Sequence, residues 1–142
     1  NARFGDPETQ VILPLLETDL LDIFLAAVNG ELDAVDVTWK KESAVCVVMA
    51  APGYPGDYPK GERIAGLERI KEPATVFHAG TRQTESGVVT SGGRVLGVTA
   101  TAANLQQARE AAYRAVRSIS FSGAHYRTDI AAKAMRAQEQ GK

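Results

Sequence analysis

Apolar positions along this chain change their period part-way through. Val11, Ile12 and Leu15, and then Leu20, Ile23, Phe24, Ala27 and Val28, recur at the three- and four-residue spacing of helix faces. Asp6-Pro7-Glu8 predicts the start of the first helix. Asp6 serves as the N-cap acceptor, Pro7 takes the first helical position, and Glu8 favours the positive end of the dipole. Pro14 lacks an N–H and predicts a kink or an end. Thr18 or Asp19 starts the second helix, and Gly30 stops it. Beyond this point the period shortens to two. Residues 35–39 alternate as a short strand. Residues 44–50 form a β-branched run between Lys40-Lys41-Glu42 and Pro52-Gly53, which predicts a buried strand.

Residues 51–61 hold three prolines and three glycines, a density that predicts a long shaped loop. Residues 75–79 read as another strand. Residues 88–90, the turn Ser91-Gly92-Gly93 and residues 94–99 read as a hairpin. Asn104 with Gln107 fits a capping box opening a helix whose inner face is Leu105, Ala108, Ala112, Val116 and Ile119. Residues 120–126 predict an irregular link. Asp129 caps a last helix over Ile130, Ala131, Ala134 and Met135, and a polar tail follows from Arg136. This order predicts an α+β fold with a seam near residues 30–40.

Composition narrows the function classes. With 142 residues, 44% hydrophobic and 23% charged, the chain is one globular domain, or one domain and a piece of another. Sixteen basic against 17 acidic residues leave no electrostatic footprint for nucleic acid. No apolar stretch approaches the roughly 20 residues of a membrane span. Cys46 has no second cysteine to pair with, which fits a cytoplasmic protein, and it reads as a buried hydrophobe rather than a nucleophile. The chain opens on Asn1 without a methionine and meets its densest polar motif at once, as a chain cut through its middle would.

That motif is Asn1-Ala2-Arg3-Phe4-Gly5-Asp6-Pro7-Glu8. On a strand, Asn1 and Arg3 would point to the same side. A carboxamide oxygen suits Mg²⁺, and an arginine can hold a phosphoryl or acyl-phosphate oxygen through two parallel hydrogen bonds. Asp6 and Glu8 can hold an ammonium group. The plainer alternative is a surface helix start in which Arg3 pairs with Glu8. Elsewhere, His78 reads as a hydrogen-bonded structural residue, and His78 with His125 makes no zinc set. Lys60 and Arg63 border the proline-rich loop, either facing a phosphate or belonging to a packing buttress. Arg94 sits at a turn as a solvated side chain or as part of an anion site. Lys60 in an extended loop disfavours a swinging carrier domain.

The segment Arg3-Phe4-Gly5-Asp6-Pro7-Glu8-Thr9-Gln10 resembles the signature of the phosphoribosylamine–glycine ligase family, within the ATP-grasp ligases. The likeness continues in the family's order through residues 53–58, 76–81, 92–100 and 119–130. The resemblance implies the last strand–helix of an ATP-grasp core over residues 1–35. A small β-rich C-terminal domain with packed helices, like the closing domain of biotin carboxylase, would follow over residues 36–142.

It further implies an ATP-dependent carbon–nitrogen ligase of de novo purine biosynthesis. Glycine would become glycyl phosphate and then meet 5-phosphoribosylamine to give glycinamide ribonucleotide. ATP is the co-substrate, with Mg²⁺ (or Mn²⁺) as cofactor. By the same resemblance Asn1 is a metal ligand, Arg3 lies at the acyl phosphate, and Asp6 and Glu8 orient substrate amines or the loop itself. The family's metal-binding glutamate, two residues before Asn1, and its ATP-clamping lobes lie outside these 142 residues. The implied partners are therefore the remaining domains of the same ligase, and the chain alone is expected not to turn over. The alternative is a closing or docking domain that supplies no catalytic residue.

Overall fold

The computed structural model describes residues 2–141. Among these residues are five strands: β1 (Ser43–Ala50), β2 (Ala74–His78), β3 (Thr81–Thr84), β4 (Gly87–Thr90) and β5 (Arg94–Ala102). Four helices accompany them: α1 (Thr9–Ile12), α2 (Leu20–Asn29), α3 (Leu105–Ser118) and α4 (Ala132–Glu139). The α+β expectation holds.

Strand β5 is the centre of an antiparallel sheet ordered β1-β5-β2. The register sets Val45, Val47 and Met49 opposite Ala100, Val98 and Leu96, and Val76 opposite Val98. These residues share one face, because strand side chains alternate. Helix α3 covers that face with Ala108, Ala111, Ala112, Ala115 and Val116, whose small side chains let the helix approach the sheet. Val47, Val98 and Val116 are fully excluded from solvent, and each such burial stabilises the fold by about 1.5–3 kcal/mol. Asn104 accepts from the Gln107 amide, as its N-cap position predicts.

The opposite face carries Cys46, Thr99, Gly97 and Phe77 at paired positions. Here α1 lies on the sheet: Thr99 Oγ1 donates to the Gln10 carbonyl at 2.9 Å, and the Gln10 side chain lies over Gly97. Pro14 ends α1 as expected, in a 3₁₀ turn over Leu13–Leu15.

Several expectations are corrected. Strands β4 and β5 do not form a hairpin. Strand β4 pairs with β3, and the tight turn falls at Glu85-Ser86. The Ser91 and Gly92 amides donate instead to the Gly80 carbonyl, which turns the chain away. The buried apolar residues of β5 require the sheet centre, where two partners cover both edges. Residues 35–39 form no strand. Trp39 makes one pairing with Leu16, and Thr18 and Thr38 share hydrogen bonds. The first helix begins at Thr9, so Asp6 does not cap it. Asp129 does not cap the last helix with its side chain, because Arg127 holds that carboxylate at 2.7 and 2.9 Å. Helix α4 instead starts after Ala131 and continues to Glu139, through residues expected to be a loose tail.

Helix α2 has the expected ends, with Asp19 accepting from the Leu21 amide and Gly30 in a left-handed conformation. Its apolar residues, however, face outward: Leu21, Phe24, Leu25 and Val28 are exposed, Val28 to 86%.

Candidate functional site

The opening motif folds into a turn whose internal hydrogen bonds leave little freedom. The Gly5 amide donates to Glu8 Oε2 at 2.9 Å. The Gly5 carbonyl accepts from both the Thr9 amide (3.0 Å) and Thr9 Oγ1 (2.8 Å). Gly5 is buried within this turn, while Arg3, Phe4, Asp6 and Glu8 are exposed. The Asp6 carboxylate is held from two sides: Oδ2 lies 2.9 Å from an Arg94 nitrogen, and Oδ1 accepts from Gln10 Nε2 at 3.3 Å. Arg94 also donates to the Asp6 carbonyl at 3.0 Å.

The structure thus brings Asp6 and Glu8 into the scaffold of the turn. Arg3 and Glu8 form no ion pair. Among the described residues the Arg3 guanidinium makes one hydrogen bond, to the Phe4 carbonyl at 2.7 Å, and meets no carboxylate. Its remaining donors face outward from an exposed side chain, a disposition suited to an external anion. Asn1 lies outside the described residues.

Arg94, read from the sequence as a solvated turn side chain or part of an anion site, is instead bound to Asp6. Its place after Gly92-Gly93 marks it as unusual, but its partner stands 88 positions away. Beneath the turn, Pro7, Cys46, Val48, Tyr54 and His125 border a mostly apolar cavity of about 310 Å³. Burial pushes the Cys46 thiol above its ordinary range, and a hydrogen bond with Thr99 opposes that shift. Cys46 is therefore a buried neutral thiol, as its apolar surroundings predict.

Other polar side chains make contacts that do not involve the turn. His78 Nδ1 lies 3.0 Å from Thr81 Oγ1. Lys60 sits over the Tyr58 ring at 5.8 Å. Arg109 stacks on Tyr113 at 4.9 Å and donates to the Thr128 and Ile130 carbonyls, while Tyr113 Oη donates to the Arg127 carbonyl at 2.7 Å. These bonds fasten residues 127–130 to α3. Arg127 also holds the Asp129 carboxyl below the usual range.

No group of three histidine, cysteine, aspartate or glutamate side chains among the described residues is placed to hold a metal ion. With Asp6 and Glu8 occupied by partners in the turn, the described residues do not by themselves make a magnesium site. Among the described residues no helix is long and apolar enough to cross a membrane.

Comparisons with known proteins agree with this architecture. A family described as "Phosphoribosylglycinamide synthetase, C domain" matches residues 44–133. A phosphoribosylamine–glycine ligase of Caldanaerobacter subterraneus subsp. tengcongensis is 54% identical over 132 residues, which cover 93% of this chain and 31% of that protein. The chloroplastic phosphoribosylamine–glycine ligase of Arabidopsis thaliana is 50% identical, over 98% of this chain and 27% of its own length. The crystal structure of the Thermotoga maritima phosphoribosylamine–glycine ligase matches with a TM-score of 0.70 and 35% identity, over 89% of this chain and 31% of that one. The chain thus spans less than a third of the length of these relatives. Sequence match, order of elements and shared fold lead to one conclusion: the chain belongs to the phosphoribosylamine–glycine ligase family, and residues 44–133 are its C domain.

Proposed function

We propose that this chain works as the C-terminal part of an ATP-dependent ligase that joins glycine to 5-phosphoribosylamine in purine biosynthesis. The observation that carries this reading is the division of labour in the opening turn. Asp6 and Glu8 are engaged by Arg94, Gln10 and the Gly5 amide, while Arg3 projects outward with donors to spare. In the proposed reaction a glycine carboxylate oxygen attacks the γ-phosphorus of ATP, and ADP leaves. The amine of phosphoribosylamine then attacks the carbonyl carbon of glycyl phosphate, losing a proton as inorganic phosphate departs. Arg3 would hold the phosphoryl oxygens where negative charge develops, the position at which a fixed donor contributes most. ATP and Mg²⁺ would be held mainly by upstream portions of the ligase, with Asn1 contributing one oxygen ligand. Asp6 and Glu8 serve the turn itself in this reading.

The α2 arm supports a second role, docking. Leu21, Phe24, Leu25 and Val28 form a contiguous exposed apolar stripe, larger in extent than a scatter of single surface residues. The covering surface in this reading is the upstream two-thirds of the ligase that the relatives possess and this chain does not span. Residues 1–35 would then complete the ATP-grasp core, and residues 36–142 would close over it.

The test joins this chain to the upstream part of the Caldanaerobacter relative. ADP release that requires both glycine and phosphoribosylamine is expected from the joined protein and not from the 142-residue chain alone. Glycine-dependent turnover by the isolated chain would contradict the division of the site. A folded joined protein without any such activity would contradict the ligase reading.

A further inference from the structure

We propose that Arg94 is the positioning residue of the opening turn: by gripping the side chain and the carbonyl of Asp6 together, it fixes where Arg3 points. This rests on the reading of Arg3 as the group that meets the acyl phosphate.

Between Arg3 and Thr9, the other hydrogen bonds stay within the turn and the start of α1: Arg3 to Phe4, Gly5 to Glu8, Thr9 to Gly5, Gln10 to Asp6, and the Val11 and Ile12 amides to the Glu8 carbonyl. These bonds make the turn and α1 one unit but do not themselves tie the Arg3–Pro7 end to the sheet. Two side chains of β5 attach it. Thr99 holds the Gln10 carbonyl beyond the turn, and Arg94 holds Asp6 within it. Packing from below does not substitute for Arg94, because the cavity of about 310 Å³ lies under Pro7 and Arg94 is part of its wall. Without the guanidinium the turn has both a missing tether and a space to move into.

Stability is a poor explanation for this contact. The two side chains are 41% and 43% exposed, and ion pairs in that setting contribute about 0–1 kcal/mol. Geometry explains it better. A planar guanidinium reaching two acceptors of one residue constrains orientation as well as distance, which a point charge does not.

The backbone of Arg94 is itself held by the motifs that the family resemblance left without a role. The Gly80 amide donates to the Arg94 carbonyl at 2.9 Å, and the Gly80 carbonyl accepts from Ser91 and Gly92. Gly80 and Gly92 approach so closely that a Cβ on Gly80 would lie 2.5 Å from the Arg94 carbonyl oxygen. On the other side, Gly93 packs against the rings of Tyr54 and Tyr58, where a Cβ would meet both. Residues 53–58, 76–81 and 92–100 therefore converge on the placement of one side chain.

The experiment uses a full-length ligase carrying these residues, with Arg94→Ala, Arg94→Lys, Arg3→Ala and the Arg94→Ala/Arg3→Ala double variant. Arg94→Ala is expected to lower kcat about 10- to 100-fold, the range that displacement of a reacting group by an ångström produces, with KM for ATP unchanged. Arg94→Lys recovers only part of it, since an ammonium does not span both acceptors. In the Arg3→Ala background, Arg94→Ala has no further effect on kcat. Amide hydrogen exchange at Gly5 and Thr9 rises in Arg94→Ala while exchange in β1 and α3 does not.

Four results overturn the proposal. A raised KM for phosphoribosylamine with normal kcat would make Arg94 a direct substrate contact. Equal losses with and without Arg3 would show that Arg94 acts elsewhere. Normal kcat in Arg94→Ala, beside a slow Arg3→Ala, would remove the positioning role and leave the ligase reading intact. A normal Arg3→Ala would instead remove the reading of Arg3 and the positioning claim with it.

Discussion

The contact between two glycine turns makes a sharp prediction about Gly80. An alanine there would place its Cβ 2.5 Å from the Arg94 carbonyl oxygen and 2.6 Å from Gly92 Cα, where ordinary contact begins at 3.4 Å. Both neighbours are backbone, so neither can swing aside. Relief requires the 80–81 and 91–94 segments to part by most of an ångström. That movement strains the bonds from Gly80 to Arg94 and from Ser91 and Gly92 to Gly80. Overpacking of this kind costs about 1–3 kcal/mol, and loss of one such hydrogen bond adds about 1 kcal/mol, for a total near 2–4 kcal/mol.

Gly93→Ala is the control. Its Cβ would also meet atoms at close range, but they belong to the rings of Tyr54 and Tyr58, and Tyr54 is exposed enough to rotate away. That variant should cost about 1 kcal/mol. Urea unfolding of the 142-residue chain, followed by far-UV circular dichroism, reads both. With a slope of about 2 kcal/mol per molar, Gly80→Ala should lower the midpoint by roughly 1–2 M, and Gly93→Ala by about 0.5 M. A Gly80→Ala midpoint within error of the parent, or a costlier Gly93→Ala, would refute the reasoning from backbone contact.

Two further predictions concern the core and its cap. Cys46 holds its proton more tightly in the fold than in the unfolded chain, because burial disfavours the thiolate. Its contribution to stability is complete below the ordinary thiol value of about 8.5 and is lost as pH rises through the raised folded value. Urea midpoints from pH 7 to 10 should therefore fall less for Cys46→Ala than for the parent, and iodoacetamide should label the folded protein far more slowly than the unfolded one. Asn104→Ala removes the acceptor for the Gln107 amide and should cost about 1 kcal/mol, read as a lowered urea midpoint, with Asn104→Asp restoring most of it.

Local signals made much of the fold legible. Asn104, Gln107 and the spacing of Leu105, Ala108, Ala112 and Val116 specify α3 within a short window, and the branched run before Pro52 does the same for β1. The β3 sequence Thr-Arg-Gln-Thr has no apolar alternation, because its strand buries nothing fully, so it leaves no trace in the pattern. Misreading the β4–β5 connection has the opposite cause. Gly92-Gly93 looks like a hairpin turn, but Gly92 serves a close crossing with Gly80 and Gly93 makes room for the rings of Tyr54 and Tyr58, contacts that exist only in three dimensions. Helix α2 shows a third limit, since periodicity reveals which face is apolar and not what covers it.

The site divides in the same way. Arg3, Asp6 and Glu8 stand out by type and order, and the family resemblance adds their chemistry. That Asp6 is held by Arg94 depends on a fold that joins positions 88 residues apart, and no local pattern encodes it, whereas the bond from the Gly5 amide to Glu8 spans only three residues.

The account's central claim is that the outward guanidinium of Arg3 stabilises the phosphoryl oxygens of the acyl phosphate. The most direct measurement is the steady-state kinetics of Arg3→Ala in a full-length ligase carrying these residues, with ATP, glycine and phosphoribosylamine varied in turn. Loss of one fixed donor at developing charge predicts a fall in kcat of about 100-fold or more, with KM for ATP little changed. Unaltered turnover in Arg3→Ala would contradict the claim and leave this chain a docking domain beside an active site built elsewhere.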